Sequence, residues 1–181
     1  MSQDIRIAGV GMIPFAKPGA SDSYDAMGAK AIRAALDDAG LSYGDVGQVY
    51  AGFVYGDSCS GQRAAYEVGM TGVPVVNVNN NCSTGSTALF LARQAVMSGA
   101  VECALAVGFE QMRPGALGLA FPDRPSPFER FDAATEDLVQ AEGVPFALKY
   151  FGGAGLAHQV CGTSGTSGSF CASLGVLPAE Q

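Results

Sequence analysis

The chain has 181 residues, of which 48% are hydrophobic and 15% are charged, and its formal net charge is −7. This composition is typical of a globular protein and excludes an intrinsically disordered chain. The acidic balance argues against nucleic acid and against an anionic membrane surface as partners, because both would repel the protein.

No apolar run approaches the roughly 18 residues that a membrane-spanning helix needs, and no secretory signal begins the sequence. We therefore expect a cytoplasmic protein, or a peroxisomal one in a eukaryote, although the C-terminal residues carry no targeting signal for that organelle. The five cysteines show no metal-ligand spacing, so we predict no metal site, and their odd number in a chain without a signal peptide predicts reduced thiols. They are Cys59, Cys82, Cys103, Cys161 and Cys171, and the only histidine is His158.

Short β-type runs alternate with helical patterns up to Met112. Strands are predicted at Ile5 to Val10, Gln48 to Tyr55, Val73 to Asn79 and Cys103 to Phe109. Helices are predicted from Ser21 or Ser23 to Gly40, from Gln62 to Met70 and in the stretch that follows Cys82. This β-α-β-α-β-α-β order, with continuous apolar strands, predicts an α/β fold in which a mostly parallel sheet is covered by helices.

The most informative stretch runs from Val75 to Met97 and reads VVNVNNNCSTGSTALFLARQAVM. A strand-like run passes through three asparagines to Cys82 and then into a helix, so the thiol lies where a strand turns into a helix. Between Thr87 and Ser98 only Arg93 is charged. A helix that is apolar nearly all round is expected to be buried, with its N-terminus directed into an interior pocket.

A cysteine at a helix N-terminus is a candidate nucleophile. The unpaired N–H groups and the helix dipole stabilise negative charge there, and the thiolate is the reactive form of cysteine. Gly85 leaves room for a substrate to approach, and sites in parallel sheets gather at the carboxyl ends of the strands. The alternative is that Cys82 is an inert packing residue, because free cysteine is often buried.

Proline and glycine become frequent after Met112, which indicates a loop-rich region with short helices near Ala133 to Gln140 and Pro145 to Tyr150. The glycine cluster FGGAG, at Phe151 to Gly155, lacks the preceding strand and the spacing of a phosphate-binding loop, so a tight turn or a packing role is expected. The run CGTSGTSGSF, from Cys161 to Phe170, has the composition of a flexible linker.

Several blocks resemble the thiolase family in the same order along the chain, specifically the branch that contains sterol carrier protein X and related lipid-transfer thiolases. The resemblance covers about Ile5 to His158. It implies that residues 1–113 form a thiolase N-terminal half domain, residues 114–160 part of a loop domain and residues 161–181 an atypical flexible tail. The matching blocks are AGVGMIPFAKPGA (Ala8 to Ala20), GFVYGDSCSGQRA (Gly52 to Ala64), GMTGVPVVNVNNNC (Gly69 to Cys82) with its continuation to Gln94, ECALAVGFEQM (Glu102 to Met112) and FGGAG.

The resemblance also implies a chemistry for Cys82. In thiolases this cysteine accepts an acyl group from a coenzyme A thioester, in the cleavage or synthesis of a 3-oxoacyl-CoA, and the backbone N–H of Cys82 would stabilise the oxyanion. The thioester is then a substrate and no cofactor is permanently bound; the residues that bind it are not identified. The histidine blocks of the family, of HDCF and GHP type, do not occur in this sequence. His158 is implied to be a surface or packing residue, and neither Cys161 nor Cys171 lies in a matching motif.

Two functions are compatible with the sequence. The first is a thiolase-type acyltransferase of lipid or sterol metabolism that is complete only with a second half. The alternative is a non-catalytic, thiolase-like assembly or lipid-binding module. The resemblance also places Val75 to Asn79 at a sheet edge, which implies a homodimer through that strand or association with a complementary chain.

Overall fold

Residues 4–114, 121–135 and 147–155 are described by a computed structural model of the chain. The chain divides into two units, Met1–Pro114 and Gly115–Gln181. In those described ranges, none of the helices combines the length and apolar character that crossing a membrane requires. The first unit contains α1 (Tyr24–Ala39), a 3-10 turn (Tyr43–Asp45), β1 (Gln48–Gly52), α2 (Ser60–Tyr66), β2 (Val75–Val78), α3 (Thr84–Met97) and β3 (Ala104–Gly108).

The predicted parallel sheet is confirmed, and the part of it that the structure describes has three strands in the order β2-β1-β3. Both pairings are parallel: Val49 of β1 lies opposite Val75 of β2, and Gln48 of β1 lies opposite Ala104 of β3. From β1 to β2 the chain moves toward one edge of the sheet, and from β2 to β3 it moves back past β1 toward the other edge. Because connections between parallel strands are right-handed, this reversal places α2 and α3 on opposite faces of the sheet.

Each face of the sheet has its own apolar layer. On one face, α1 and α2 contribute Ile32, Leu36, Ala64 and Ala65 to a buried cluster with alternate residues of β1 and β3. On the other face, α3 buries a stripe of small residues, Ala88, Ala92 and Ala95. Their spacing of three and four positions is that of one helix face. The small side chains let α3 lie close against the strands.

The ends of α1 are as predicted from the sequence. The helix begins at Tyr24 after Ser23, and Gly40 adopts the left-handed conformation at its C-terminus, with φ of 66°. The Leu41 N–H reaches back to the Leu36 carbonyl at 3.0 Å. A glycine at this position closes the helix because it has no Cβ to strain.

The strand predicted at Ile5 to Val10 is wrong, because no ladder forms there. The segment instead lies along α1. The Val10 N–H donates to the Asp38 carboxylate at 2.8 Å, and a Cβ on Gly9 or Gly11 would come within 2.5 Å of the α1 backbone. A β-type composition only makes a segment suitable for pairing, and none of the strands in the described ranges lies beside this one to supply the partner groups.

The expectation that α3 is buried all round is also wrong. Leu89 and Phe90 are each 53% exposed, and Met97 is 41% exposed. The sheet covers one stripe of the helix, and the opposite face is apolar but accessible. The apolar pattern of α3 therefore predicts which of its residues can be buried. Among the described residues, no segment packs against its outer face.

The second unit contains α4 (Glu129–Thr135) and a helix over residues 147–155, here α5. The ring of Tyr150 meets Phe131 edge-on at 5.0 Å between centroids, and its hydroxyl donates to Asp132. Burial, the hydrogen bond and the Asp132 charge raise the pKa of Tyr150 to about 12. The FGGAG cluster lies within α5, so the tight turn expected there is wrong.

Helical structure near Pro145 to Tyr150 is confirmed for the described residues. Only the first residues of the helix predicted at Ala133 to Gln140 are described, and they form the C-terminal end of α4. The run from Cys161 to Phe170 lies outside the described residues, as does His158.

Replacing Gly52 with alanine is expected to destabilise the first unit. The new Cβ would lie 2.8 Å from the carbonyl oxygen of Thr84, and that backbone group cannot rotate away. Overpacking of this kind costs about 1–3 kcal/mol, which urea denaturation would detect as a lower midpoint. Gly44→Ala is the control, because its Cβ would contact only the Ser42 hydroxyl at 3.5 Å. Equal losses for the two variants would contradict this account of the contact.

Candidate active site

Cys82 lies in the turn between β2 and α3 and is exposed. The preceding residue, Asn81, has a φ of 49°, and asparagine tolerates this left-handed conformation better than most residues. The helix starts two positions after the thiol, at Thr84. The predicted placement of Cys82 at a strand-to-helix turn is therefore confirmed, and its exposure argues against the packing role.

The turn is fixed by hydrogen bonds from its own asparagine and hydroxyl side chains. The Thr84 hydroxyl accepts the Asn80 N–H at 2.9 Å and donates to the Asn81 carbonyl. The Ser83 hydroxyl donates to the Asn80 carbonyl at 2.8 Å, and the Asn80 amide donates to the Thr87 hydroxyl at 3.0 Å. Because Thr84 is buried, water does not compete for its hydrogen bonds. The backbone on both sides of Cys82 is thus held in place.

Glycines at the strand ends bring this turn close to the sheet. Thr84 lies so close to Gly52, the last residue of β1, that a Cβ at position 52 would clash with it. At the end of β3, a Cβ on Gly108 would lie 3.5 Å from the Cα of Gly85. A Cβ on Gly85 itself would meet open space, as expected for a position that leaves room for a ligand. The Cys82 turn therefore lies at the carboxyl edge of the sheet, where sites of α/β proteins form.

Glu110 connects two loops at the same edge. It follows β3, and its two carboxylate oxygens accept the N–H groups of Val54 and Tyr55 at 2.9 and 3.0 Å. Both bonds are charge-assisted and hold the loop after β1 against the end of β3. Glu110 was not among the site residues predicted from the sequence, although an acidic residue directly after a buried strand is a signal for a role at this edge.

Tyr55 lies in the loop that Glu110 holds through hydrogen bonds to the backbone. Burial raises the pKa of the Tyr55 hydroxyl, with further contributions from the negative charges of Glu110 and Cys82. A charge on Cys82 therefore acts on Tyr55 across the site. Sequence reasoning missed this residue as well, because Tyr55 lies in a loop and makes its contacts with distant parts of the chain.

The other described thiols are in different surroundings. Cys59 is exposed and has a φ of 68°, whereas Cys103 is half-buried. Burial, and to a smaller extent the charge of Asp45, raise the pKa of the Cys103 thiol. Cys161 and Cys171 lie outside the described residues. In the described ranges, no group of three His, Cys, Asp or Glu side chains could hold a metal ion.

Asn77 precedes the turn but does not face the thiol. Its side-chain oxygen accepts the Gly61 N–H at 2.9 Å, and its nitrogen donates to the Gln62 side chain at 2.7 Å. These bonds join β2 to α2. Among the asparagines before Cys82, the positions that shape the turn are therefore those that follow the strand.

Cys82 is thus a candidate nucleophile at the carboxyl edge of a parallel sheet and at the start of a helix. Proteins with similar sequences indicate which class of α/β protein this is. The profile of the thiolase N-terminal domain matches residues 5–145. Sterol carrier protein 2 of Oryctolagus cuniculus is 48% identical over 156 residues, which is 84% of this chain and 28% of that protein. Acetyl-CoA acetyltransferase of Cupriavidus necator is 33% identical over 65% of this chain and 30% of its own length.

The fold has a counterpart among solved structures. The structure described as Ltp2-ChsH2(DUF35) aldolase has a TM-score of 0.56 with 20% identity, and the match covers 89% of this chain and 38% of that one. At this identity the likeness concerns the fold alone. The chain belongs to the thiolase family, and it spans under a third of the length of the two curated relatives.

Alkylation at neutral pH is expected to be fastest at Cys82 among the three described thiols. Cys82 is exposed at the start of the 14-residue α3, whereas Cys59 is exposed at the start of the 7-residue α2, so the dipole of the longer helix favours attack by Cys82. Cys103 should be slowest, because burial both hinders access and disfavours its thiolate. Limited iodoacetamide treatment followed by peptide mapping gives the order. If Cys82 reacted no faster than Cys59, the activated-nucleophile interpretation would be lost.

Proposed function

We propose that this chain provides the acyl-accepting step of a thiolase-type acyltransferase. The observation that carries the proposal is the position of Cys82, exposed in a fixed turn at the start of α3 and at the carboxyl edge of the sheet. Membership of the thiolase family and the likeness to an acetyl-CoA acetyltransferase support the same chemistry.

The step is a thioester exchange. The Cys82 thiolate attacks the carbonyl carbon of an acyl-CoA, a new carbon–sulfur bond forms, and the bond to the sulfur of coenzyme A breaks. The departing thiolate takes up a proton and leaves as coenzyme A. The Cys82 N–H and the start of α3 would stabilise the negative charge on the carbonyl oxygen in the tetrahedral intermediate.

Glu110 is unsuited to be the base that removes the Cys82 proton, because each of its oxygens already accepts a backbone N–H. We assign it instead to the positioning of the loop that carries Tyr55. Histidine is the commonest general base, and the described ranges contain none. General acid–base catalysis contributes typically 10²–10⁴ in rate, so acylation by this chain alone should be slow.

The substrate class that we propose is a coenzyme A thioester of a fatty or sterol-derived acid, used in thiolysis or formation of a 3-oxoacyl-CoA. The name of the sterol carrier relative supports the lipid character of the acyl group. No permanently bound cofactor takes part in the thioester exchange as written, since thiol, thioester and proton balance the step.

A non-catalytic assembly or lipid-binding module remains the second candidate, and one observation favours it. The outer face of α3 exposes Phe90 and Met97, and an exposed apolar face of this kind is typical of a surface that another polypeptide covers. If the chain is such a non-catalytic module, the exposed thiol of Cys82 is not acylated.

We also propose a homodimer through Val75 to Asn79. β2 is an edge strand, and within the described sheet it pairs with β1 alone. Val76 on this strand is 41% exposed. An exposed apolar edge strand favours pairing with an identical strand, which a twofold axis would close into a dimer.

Intact-mass analysis after incubation with acetyl-CoA tests the acyl step. The wild type should gain one acetyl group, Cys82→Ala should gain none, and Cys59→Ala should behave as wild type because Cys59 lies outside the turn. An adduct of equal size on Cys82→Ala, or no adduct on a folded wild type, would refute the acyl-accepting role and favour the assembly module.

Light scattering at micromolar concentration tests the dimer. The wild type should have twice the mass of one chain, and Val76→Lys should shift it to the monomer, because a charge on the exposed edge opposes pairing. The control is Tyr66→Lys, which places the same charge at a half-exposed position at the end of α2. A monomeric wild type would contradict the proposed interface.

A further inference from the structure

The segment that leaves β1 is held beside the turn that carries Cys82. A Cβ on Gly52 would lie 2.8 Å from Thr84, which begins α3 on one side of the turn. The Phe53 N–H donates at 3.3 Å to the carbonyl of Val78, which ends β2 on the other side. The chain therefore leaves β1 in contact with the elements that flank the thiol.

Three consecutive residues after β3 brace the same segment. The ring of Phe109 stacks against both Tyr24 and Phe53, with centroid distances of 5.6 and 5.3 Å. Next to it, Glu110 accepts two N–H groups of the loop after β1. The Gln111 side chain accepts the Tyr24 N–H at 3.0 Å, at the first residue of α1. The loop after β1 is thus fixed from the side of β3 as well as from the side of the turn.

Tyr55 places a hydroxyl on this braced loop. It is half-buried, and its N–H donates to Glu110 at 3.0 Å. In the part of the chain that the structure describes, the Tyr55 hydroxyl makes no hydrogen bond. The hydroxyl of Tyr50, on β1, in contrast donates to the Gln48 side chain at 2.8 Å. Tyr55 therefore combines a fixed backbone with a hydroxyl that is available to a ligand.

The negative charge of Cys82 acts on the Tyr55 side chain. Burial raises the pKa of the Tyr55 hydroxyl, and the charges of Glu110 and Cys82 raise it further. The hydroxyl stays protonated at neutral pH, as a hydrogen-bond donor must. Charges near a protein surface are screened over about 8–10 Å, so the thiol and the phenol belong to one site. A protonated donor in this site can stabilise negative charge that develops as the thiol reacts.

We propose that Tyr55 is a substrate-contacting residue of the acyl step, whose hydroxyl donates a hydrogen bond to the coenzyme A thioester while Cys82 attacks. This inference rests on the proposed function. During the exchange, negative charge passes from the Cys82 sulfur to the carbonyl oxygen and then to the sulfur of coenzyme A. A neutral donor stabilises this charge without carrying one of its own. Glu110 acts through the loop and is a positioning residue.

Comparing two reactions of Cys82 tests the proposal. Tyr55→Phe, which removes only the hydroxyl, should slow acetylation by acetyl-CoA about tenfold or more, as loss of a donor to a developing anion does. The rate would be followed by intact mass. Alkylation by iodoacetamide should keep its rate, because that reagent is attacked at a methylene carbon and no oxyanion forms. Tyr66→Phe, at a half-exposed position at the end of α2, is the control and should change neither rate.

Glu110→Gln tests the positioning role. The variant keeps the size of the side chain but replaces one acceptor oxygen with a donor, so one of the two bonds to the loop is lost. Acetylation should slow while alkylation does not. Adding Glu110→Gln to Tyr55→Phe should cause no further loss, because the carboxylate acts through the hydroxyl that is already absent. Losses that multiply in the double variant would contradict this role of Glu110.

An NMR titration of ¹³C-labelled tyrosine gives a readout that does not depend on acetylation. Cys82→Ala removes a negative charge that opposes ionisation, so it should lower the pKa of the Tyr55 hydroxyl. Cys103→Ala is the control and should leave this pKa unchanged, because the charges that raise it are those of Glu110 and Cys82.

Three outcomes would overturn the role of Tyr55: an unchanged pKa of its hydroxyl in Cys82→Ala, an unchanged acetylation rate in Tyr55→Phe, or equal losses of acetylation and alkylation in that variant. The last would mean that the hydroxyl only supports the structure of the turn. If a folded wild type gained no acetyl group, the proposed function itself would be refuted and the role of Tyr55 with it. Failure of Tyr55 alone, with wild-type acetylation intact, is therefore a distinct result.

Discussion

The close approach of α3 to the end of β1 is the contact on which the site depends. Thr84 lies so close to Gly52 that a side chain at position 52 would clash with it. The Thr84 hydroxyl also accepts the Asn80 N–H and donates to the Asn81 carbonyl. One residue therefore fixes the distance of the helix from the sheet and the shape of the turn. The exposure of Cys82 follows from this, because the turn is held at the carboxyl edge instead of folding back over the strands.

A second device stabilises the opposite side of that edge. The carboxylate of Glu110 is stabilised by hydrogen bonds from two N–H groups of the loop after β1, so the ends of β1 and β3 are joined where the ladder between them stops. The rigid parts of the site are thus its turn and its loop. The carboxylate serves the backbone, so the base for the proposed acylation of Cys82 is unassigned among the described residues.

Local features of the chain could be predicted because they depend on neighbouring residues. The caps of α1, the parallel strands and the Cys82 turn follow from residue types in short stretches. The Ile5 to Val10 strand was predicted wrongly because pairing needs a neighbour, and the exposed face of α3 because burial needs a cover. Glu110 and Tyr55 were missed because their contact joins positions 55 residues apart. Whether Cys82 is acylated stays a prediction.

The two edges of the sheet differ in a way that bears on assembly. β2 lies at an open edge, where two identical strands can meet about a twofold axis. The edge of β3 is enclosed by α1, α3 and residues 5–11, which line the space beside it. The enclosed edge protects the sheet against the unlimited strand-to-strand association to which open sheets are prone.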